Sequence, residues 1–309
     1  MECMTSLRST VLRAAGLTAA AGVLGFTWAA AIEPHLFRVR RFTLPLLPEG
    51  ATPMRVLHLS DLHLTAWQHH KMTWVNSLSA LEPDLVVNTG DNMAGDVLGH
   101  VVETYGALLD VPGVFVLGSN DFHAPQFKNP ARYLRAPSEV AAANEAREVA
   151  LPTEDLVDAF ESRAWTFLDN RNVPLEIKGN RISFSGLGDA HMNRDEIGPG
   201  HPEFDEMSDL ALGVTHAPYV RTLDAFTEAG ADLVLAGHTH GGQIRIPFWG
   251  APVTNCDLPR DRSRGVFEHR GTTVGVSAGL GFSPFAPVRF ACPPEVSVYD
   301  LVPGRPPRL

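Results

Sequence analysis

Met54-Arg55-Val56-Leu57-His58-Leu59, running straight into Ser60-Asp61-Leu62-His63, is the stretch on which the fold turns. A short apolar run of less than helical length reads as a buried strand. It ends in Asp61 and His63, two side chains suited to binding a cation. The construction recurs four times downstream. Leu85–Val87 leads into Asn88-Thr89-Gly90-Asp91-Asn92, and Val114–Leu117 into Gly118-Ser119-Asn120-Asp121. Leu212–Thr215 leads into His216, and Leu233–Ala236 into Gly237-His238-Thr239-His240-Gly241-Gly242. Apolar residues at helical spacing lie between several of these runs: Met72, Val75, Leu78 and Leu81; Val101, Val102, Tyr105, Leu108 and Leu109; Val220, Leu223 and Phe226. Strand, helix and strand in series imply right-handed crossovers and a largely parallel sheet. In such sheets ligands gather outside the carboxyl ends of the strands. A single Asp or Asn after a strand is ordinary turn chemistry; five chemistry-bearing ends in order point to one shared crevice.

Working outward, Lys178-Gly179-Asn180-Arg181 reads as a hairpin turn between alternating strands, and Gly265–His269, Thr272–Ser277 and Glu295–Leu301 also alternate. The pattern predicts an α/β fold, two mixed sheets packed face to face with helices outside. The segment from about 124 to 165 fits neither sheet. Its four prolines, Pro125, Pro130, Pro137 and Pro152, interrupt any long helix, so it is expected as an insertion, with Thr153 capping a helix that runs to about Ala164.

The first fifty residues read differently. Ala14 to Ile32 carries no charge, close to the ~20 residues that cross a bilayer as a helix. A retained anchor, a signal segment cut near Ala29-Ala30-Ala31, and a soluble helix are the three readings. Arg8 and Arg13 precede the span and Arg38, Arg40 and Arg41 follow it, so the side of the membrane is undetermined. The expected organisation is residues 1–50 as anchor or signal plus linker and 51–309 as the α/β domain, membrane-associated or exported. Among 309 residues, 25 basic side chains face 35 acidic ones, a net charge of −10, the opposite of an electrostatic nucleic-acid binder. Three cysteines are too few for a disulfide scaffold; Cys256 and Cys292 either pair in an exported domain or stay as buried thiols.

Asp and His without a nearby thiolate favour Mn²⁺, Fe²⁺ or Zn²⁺. Seven candidate ligands exceed what one ion needs, and two ions sharing a carboxylate would use them all. Gly90, Gly118 and Gly237 each precede such residues, where the backbone must turn beside the site without a Cβ.

Asp61-Leu62-His63, Gly90-Asp91, the Gly118–Asp121 turn, His216 and Gly237-His238-Thr239-His240 together resemble the calcineurin-like metallophosphoesterases, over about Met54 to Leu301. The run Gly237 to Gln243 with the N-terminal span looks like the membrane-associated bacterial branch. The resemblance implies a four-layer αββα sandwich. It implies one metal held by Asp61, His63 and His240, a second by Asn120, His216 and His238, and Asp91 bridging them. A hydroxide between the ions would attack a phosphoester, with a phosphorylated lipid or nucleotide-linked substrate near a membrane as the expected class.

One block departs from the family pattern Gly-Asn-His-Asp/Glu. Here it reads Gly118-Ser119-Asn120-Asp121-Phe122-His123. Matched without a gap, Ser119 takes the ligand position and Asn120 the acid position. Shifted by one, Asn120 is the ligand and Asp121 stands where the acid histidine belongs. The shift is preferred because an amide oxygen is the better ligand, and His123 is the remaining substitute acid. The catalytic candidates are therefore Asp91, Asn120, Asp121 and His123. Asp189-Ala190-His191, His69, His70, Arg245 and the apolar tip Pro247-Phe248-Trp249-Gly250 rank behind them. The altered block also opens a second reading, a catalytically weakened scaffold that keeps its metals.

Overall fold

The structure, a computed structural model, describes residues 2–125, 149–282 and 285–304. Two six-stranded sheets form its centre. The first runs, in spatial order, β1 (Arg38–Leu47), β12 (Glu295–Pro303), β2 (Met54–Leu59), β3 (Leu85–Asn88), β4 (Gly113–Phe115) and β5 (Trp165–Phe167). The second runs β10 (Gly265–His269), β11 (Thr272–Val276), β9 (Leu233–Ala236), β8 (Leu210–Thr215), β7 (Asn180–Leu187) and β6 (Arg171–Ile177). Strands β2 to β5 are parallel, as are β7, β8, β9 and β11. Antiparallel pairing of β12 with β2, and of the hairpins β6–β7 and β10–β11, makes both sheets mixed.

Alternate residues of each strand face opposite ways, which builds two kinds of core. Val56, Leu85 and Val114 meet Phe184, Leu212 and Leu233 between the sheets. Their neighbours Leu57, Val86 and Phe115 point outward onto Val75, Val101 and Phe160 of the helices His69–Asn76, Leu98–Tyr105 and Thr153–Glu161. On the far side Leu223 and Phe226 of the helix Val220–Glu228 cover Val234 and Val274. Helix, sheet, sheet, helix is the expected αββα order. With both faces covered, β3, β8 and β9 are largely apolar rather than alternating, whereas β2 carries Arg55 and His58 and β7 carries Arg181, Ser183 and Ser185. Phe226 packs so close that a Cβ on Gly213 would lie 2.7 Å from its ring. Phe226→Ala would cost about 3–5 kcal/mol through lost burial and the cavity left behind.

Several local expectations change. Residues 38–47, read as linker, are the strand β1, parallel to β12, and its Leu47 is fully buried. Pro152, not Thr153, occupies the cap position, and the helix stops at Glu161 rather than near Ala164. The Thr153 hydroxyl donates instead to the Asp121 carbonyl, at 2.8 Å. Cys256 and Cys292 are separate free thiols; Cys292 lies under the Gly241 turn, its Sγ 2.8 Å from where a Gly241 Cβ would sit. Of the insertion, residues 126–148 lie outside the described residues.

The helix Glu2–Thr27 continues through Trp28–Ile32 and Glu33–His35, and Gly16–His35 is long and apolar enough to cross a membrane. Its inner end is tied to the domain. The Arg289 amide donates to the Ala29 carbonyl at 2.8 Å, and buried Glu33 accepts from the Cys292 amide at 2.5 Å and the Trp28 indole at 2.7 Å.

Candidate metal centre

The strand ends converge as the sheet order requires. Three of the five turn through left-handed residues: Asp61, His63, Asp91, His238 and His240 all have φ between 41° and 65°, a conformation uncommon outside glycine but most accessible to Asn, Asp and His. The glycines let backbone pass against side chains. A Cβ on Gly118 would meet Asp91 Oδ1 and lie 2.6 Å from the His216 ring, and one on Gly237 would lie 2.6 Å from Asp61 Oδ2.

Two groups of ligand atoms result, each lying within 4.8 Å of one another: Asp61, His63 and His240, and Asp61, Asp91 and His216. Asp91 Oδ2 stands between the histidines, 3.3 Å from His63 Nε2 and 3.5 Å from His216 Nε2. The Asn120 side-chain amide reaches the same oxygen at 2.9 Å. His238 joins through Nδ1, 3.3 Å from His216 Nε2. Asn120 rather than Ser119 is thus the residue that meets the Asp91 carboxylate.

Outer contacts fix which ring nitrogens face inward. Carbonyls only accept, so His216 Nδ1–H donates to Thr89 at 2.6 Å and His238 Nε2–H to Asn255 at 3.1 Å. His216 Nε2 and His238 Nδ1 then face each other, a pair that a cation in place of the His216 Nε2 proton would satisfy. His63 Nε2 and His240 Nε2 also face each other, at 3.2 Å, with the donor-only Arg289 on the far side of His240, 3.5 Å from its Nδ1. Burial lowers His63 to about 4 and holds His238 and His240 well below the usual histidine range, leaving neutral, ligand-ready imidazoles. His216 goes the other way: burial opposes charge, but Asp91, Asp189 and Asp61 outweigh it and raise the ring to about 10. The carboxylates thus draw in positive charge, and the donor set fits divalent cations.

Asp121 is taken up by backbone amides. It is fully buried and accepts from the amides of Asp91 (2.8 Å), Asn92 (2.7 Å) and Gly118 (3.1 Å), with burial pushing its carboxyl up to about 7. It holds the two metal-side turns together. His123 belongs to neither ligand group; its backbone bridges to Ala150, and its ring lies beside Phe122.

Among the lesser candidates, His191 packs on His238, ring centroids 4.6 Å apart, and meets the Tyr219 hydroxyl at 3.0 Å. Arg245 is used locally, donating to the Gly241 carbonyl and Ser263 hydroxyl. His70 lies tilted against the rings of Phe37 and His35. Tyr219, Asn255 and Arg289 escaped sequence reading, since none sits in a motif or at a periodic position. Arg289 is fully buried. It donates to the carbonyls of Ala278 (2.8 Å), Gly279 (3.2 Å) and Gly281 (2.6 Å) and comes within 3.5 Å of His240 Nδ1. That clamps the loop pressed against Asp61 and His63.

The sequence model of the family described as calcineurin-like phosphoesterase matches residues 54–242, which span all five strand ends. The chain is a calcineurin-like phosphoesterase. This phosphoesterase is 25% identical to the metallophosphoesterase YkuE of Bacillus subtilis over 93% of each chain. It is 26% identical to the phosphodiesterase YaeI of Escherichia coli, over 90% of this chain and 93% of that one. It is 25% identical to the UDP-2,3-diacylglucosamine pyrophosphatase LpxG of Chlamydia trachomatis, again over 90% and 93%. It is an enzyme of the metallophosphoesterase class, a family that binds divalent metals.

Proposed function

We propose that this phosphoesterase holds two divalent ions, one by Asp61, His63 and His240 and the other by Asn120, His216 and His238, with Asp91 common to both. The observation that carries this reading is the position of a single Asp91 oxygen facing a histidine of each set. Ions bound there would supply Lewis acidity, easing deprotonation of the attacking water and neutralising phosphoryl charge. The protein's part is positioning: Thr89 and Asn255 hold the ring nitrogens, Asp121 locks the turns that carry Asp91 and Asn120, and Arg289 braces the loop behind Asp61.

Neither Asn120 nor the amide-bound Asp121 gives a proton to the departing oxygen. The reaction therefore favours leaving groups that are already stable anions, as in aryl esters and pyrophosphate linkages, because acid catalysis matters most for basic leaving groups. The substrate we assign is a lipid-linked or nucleotide-linked phosphoester at a membrane. The phosphodiesterase and pyrophosphatase relatives and the apolar helix Gly16–His35, read here as a retained anchor, support it.

The test is hydrolysis of bis(4-nitrophenyl) phosphate and 4-nitrophenyl phosphate with Mn²⁺, wild type against Asp91→Ala, followed by a panel of phosphorylated lipids and nucleotides. Metal-dependent turnover in wild type alone is expected. Equal, negligible rates in both proteins would hand the chain to the scaffold reading.

A further inference from the structure

Immediately after His240 the chain leaves the metal centre and forms a tip that breaks the rule for soluble surfaces. Ile244, Ile246, Phe248, Trp249 and Val253 are all exposed, Phe248 completely and Trp249 at 56%. Such a concentration of large apolar side chains on one excursion marks a contact surface rather than scattered exposure. The tip is not loose: Ile246 bridges to Gly250, and Ile244 to Phe290. Through that second bridge it joins the segment that also receives the apolar helix. The Arg245 amide donates to the Phe290 carbonyl at 2.8 Å, and one residue earlier the Arg289 amide donates to Ala29 at 2.8 Å. Cys292 then meets Glu33. Tip, loop and helix end are therefore hydrogen-bonded into one surface, two residues past the turn that carries His240.

Its charge is distinctive. Residues 244–264 carry four arginines (245, 260, 262 and 264) against two aspartates (257 and 261), in a chain whose net charge is −10. The Arg260 guanidinium sits over the Trp249 ring, 4.8 Å from its centroid. Exposed Trp and Phe flanked by arginine is the chemistry of the interfacial zone of a bilayer, where rings lie at headgroup level and cations meet anionic lipid.

We propose that the tip 244–253 inserts into the surface of an anionic bilayer beside the helix Gly16–His35, so that the metal centre works on phosphoesters carried by that bilayer. The inference rests on the phosphoesterase reading for its substrate, and on the exposed tip alone for its membrane contact. The occupant is the bilayer rather than a second copy of the chain, because the tip is continuous with the helix that is apolar enough to cross it.

The full chain is reconstituted in phosphatidylcholine–phosphatidylglycerol vesicles, with and without bromine on the acyl chains. Tryptophan emission of wild type minus that of Trp249→Phe isolates the signal of Trp249. Brominated chains should quench that signal about two-fold or more, since bromine acts only near contact with the ring. In parallel, Phe248→Ser/Trp249→Ser should lower kcat/KM on a hexadecyl 4-nitrophenyl phosphate embedded in the vesicles by about ten-fold, from lost apolar burial. Its rate on water-soluble bis(4-nitrophenyl) phosphate should stay within about two-fold, the spread left to surface substitutions. Emission of Trp249 indifferent to bromine overturns the proposal, whether or not it changes with chain concentration as self-association would make it. So does an equal loss on both esters. A wild type inactive on both esters would instead strike the phosphoesterase reading, while the quenching result would still stand by itself; one active on the soluble ester alone overturns the proposal.

Discussion

The metal centre and the N-terminal helix with its neighbouring tip depart from the usual distribution of residues in opposite directions. At the centre Asp61, Asp91, Asp121 and His216 are buried polar groups; at the other surface Leu24, Phe26, Phe248 and Trp249 are exposed apolar ones. Each departure costs stability taken alone. At the centre the cost is offset by mutual hydrogen bonds and, on our reading, by cations; at the surface, by lipid. The difference shows that these regions answer to different solvents, and it separates them experimentally.

The sharpest break is at Asp91, whose Oδ2 faces both histidine sets. Asp91→Asn should release both ions, read by elemental analysis of the purified chain, and lower kcat/KM at least ~10³-fold, as loss of a central electrostatic element does. One ion retained in the variant would remove Asp91 from its bridging role.

Truncation asks whether the apolar surface can be taken away from the polar one. A chain beginning after Leu36 keeps β1 and should be soluble with its metals in place, losing the contacts at Ala29 and Glu33 and the His35–His70 ring contact. A chain beginning after Leu47 loses a whole strand and the buried Leu47, and should aggregate. Equal solubility of the two would mean β1 is dispensable.

Asp121→Asn replaces an acceptor that serves three backbone amides with a group that must present N–H to one of them. The variant should lose about 2 kcal/mol or more, the cost of unsatisfied buried donors near a former charge, seen as a lower denaturation midpoint. Activity retained with a changed pH profile, and no loss of stability, would restore Asp121 as an acid.

The smallest expected effect is at Asp169, which accepts from the Leu117 amide at 3.1 Å, just before the Gly118 turn. Burial pushes its carboxyl up to about 7 from 3.8. A raised carboxyl means the folded state keeps a proton that the unfolded chain gives up. Stability from this group is thus present below the unfolded value and lost as pH rises toward 7. Asp169→Asn keeps the acceptor and removes the ionisation. It should melt about 2 °C above wild type near pH 8 and level with it at about pH 4, both measured in chelator. A gain independent of pH would assign it to packing.

Much of this was legible in the chain. The strands β2, β3, β8 and β9 are mostly apolar because both their faces are covered, and the ligand candidates follow them directly. β1 was not legible: as an edge strand it tolerates Arg38, Arg40 and Arg41, which in sequence look like a charged linker. The bracing role of Asp121 was not legible because its partners at Asp91 and Asn92 lie some thirty residues away and meet it only when β3 and β4 pair. Arg289 carries no signal in sequence, since its role is defined by the four carbonyls it clamps, those of Ala278, Gly279, Gly281 and Cys292.

The sequence by itself determined the residue types at the five strand ends, their order, and the uncharged span, because local burial and turn chemistry are written in neighbouring residues. Only the tertiary structure decided that one Asp91 oxygen faces both histidine sets, which ring nitrogens point inward, and that the helix end and the apolar tip meet on one loop. Those facts join residues such as His63 and His240, 177 positions apart, and no local pattern in a chain specifies a distance that folding alone brings to 3.2 Å.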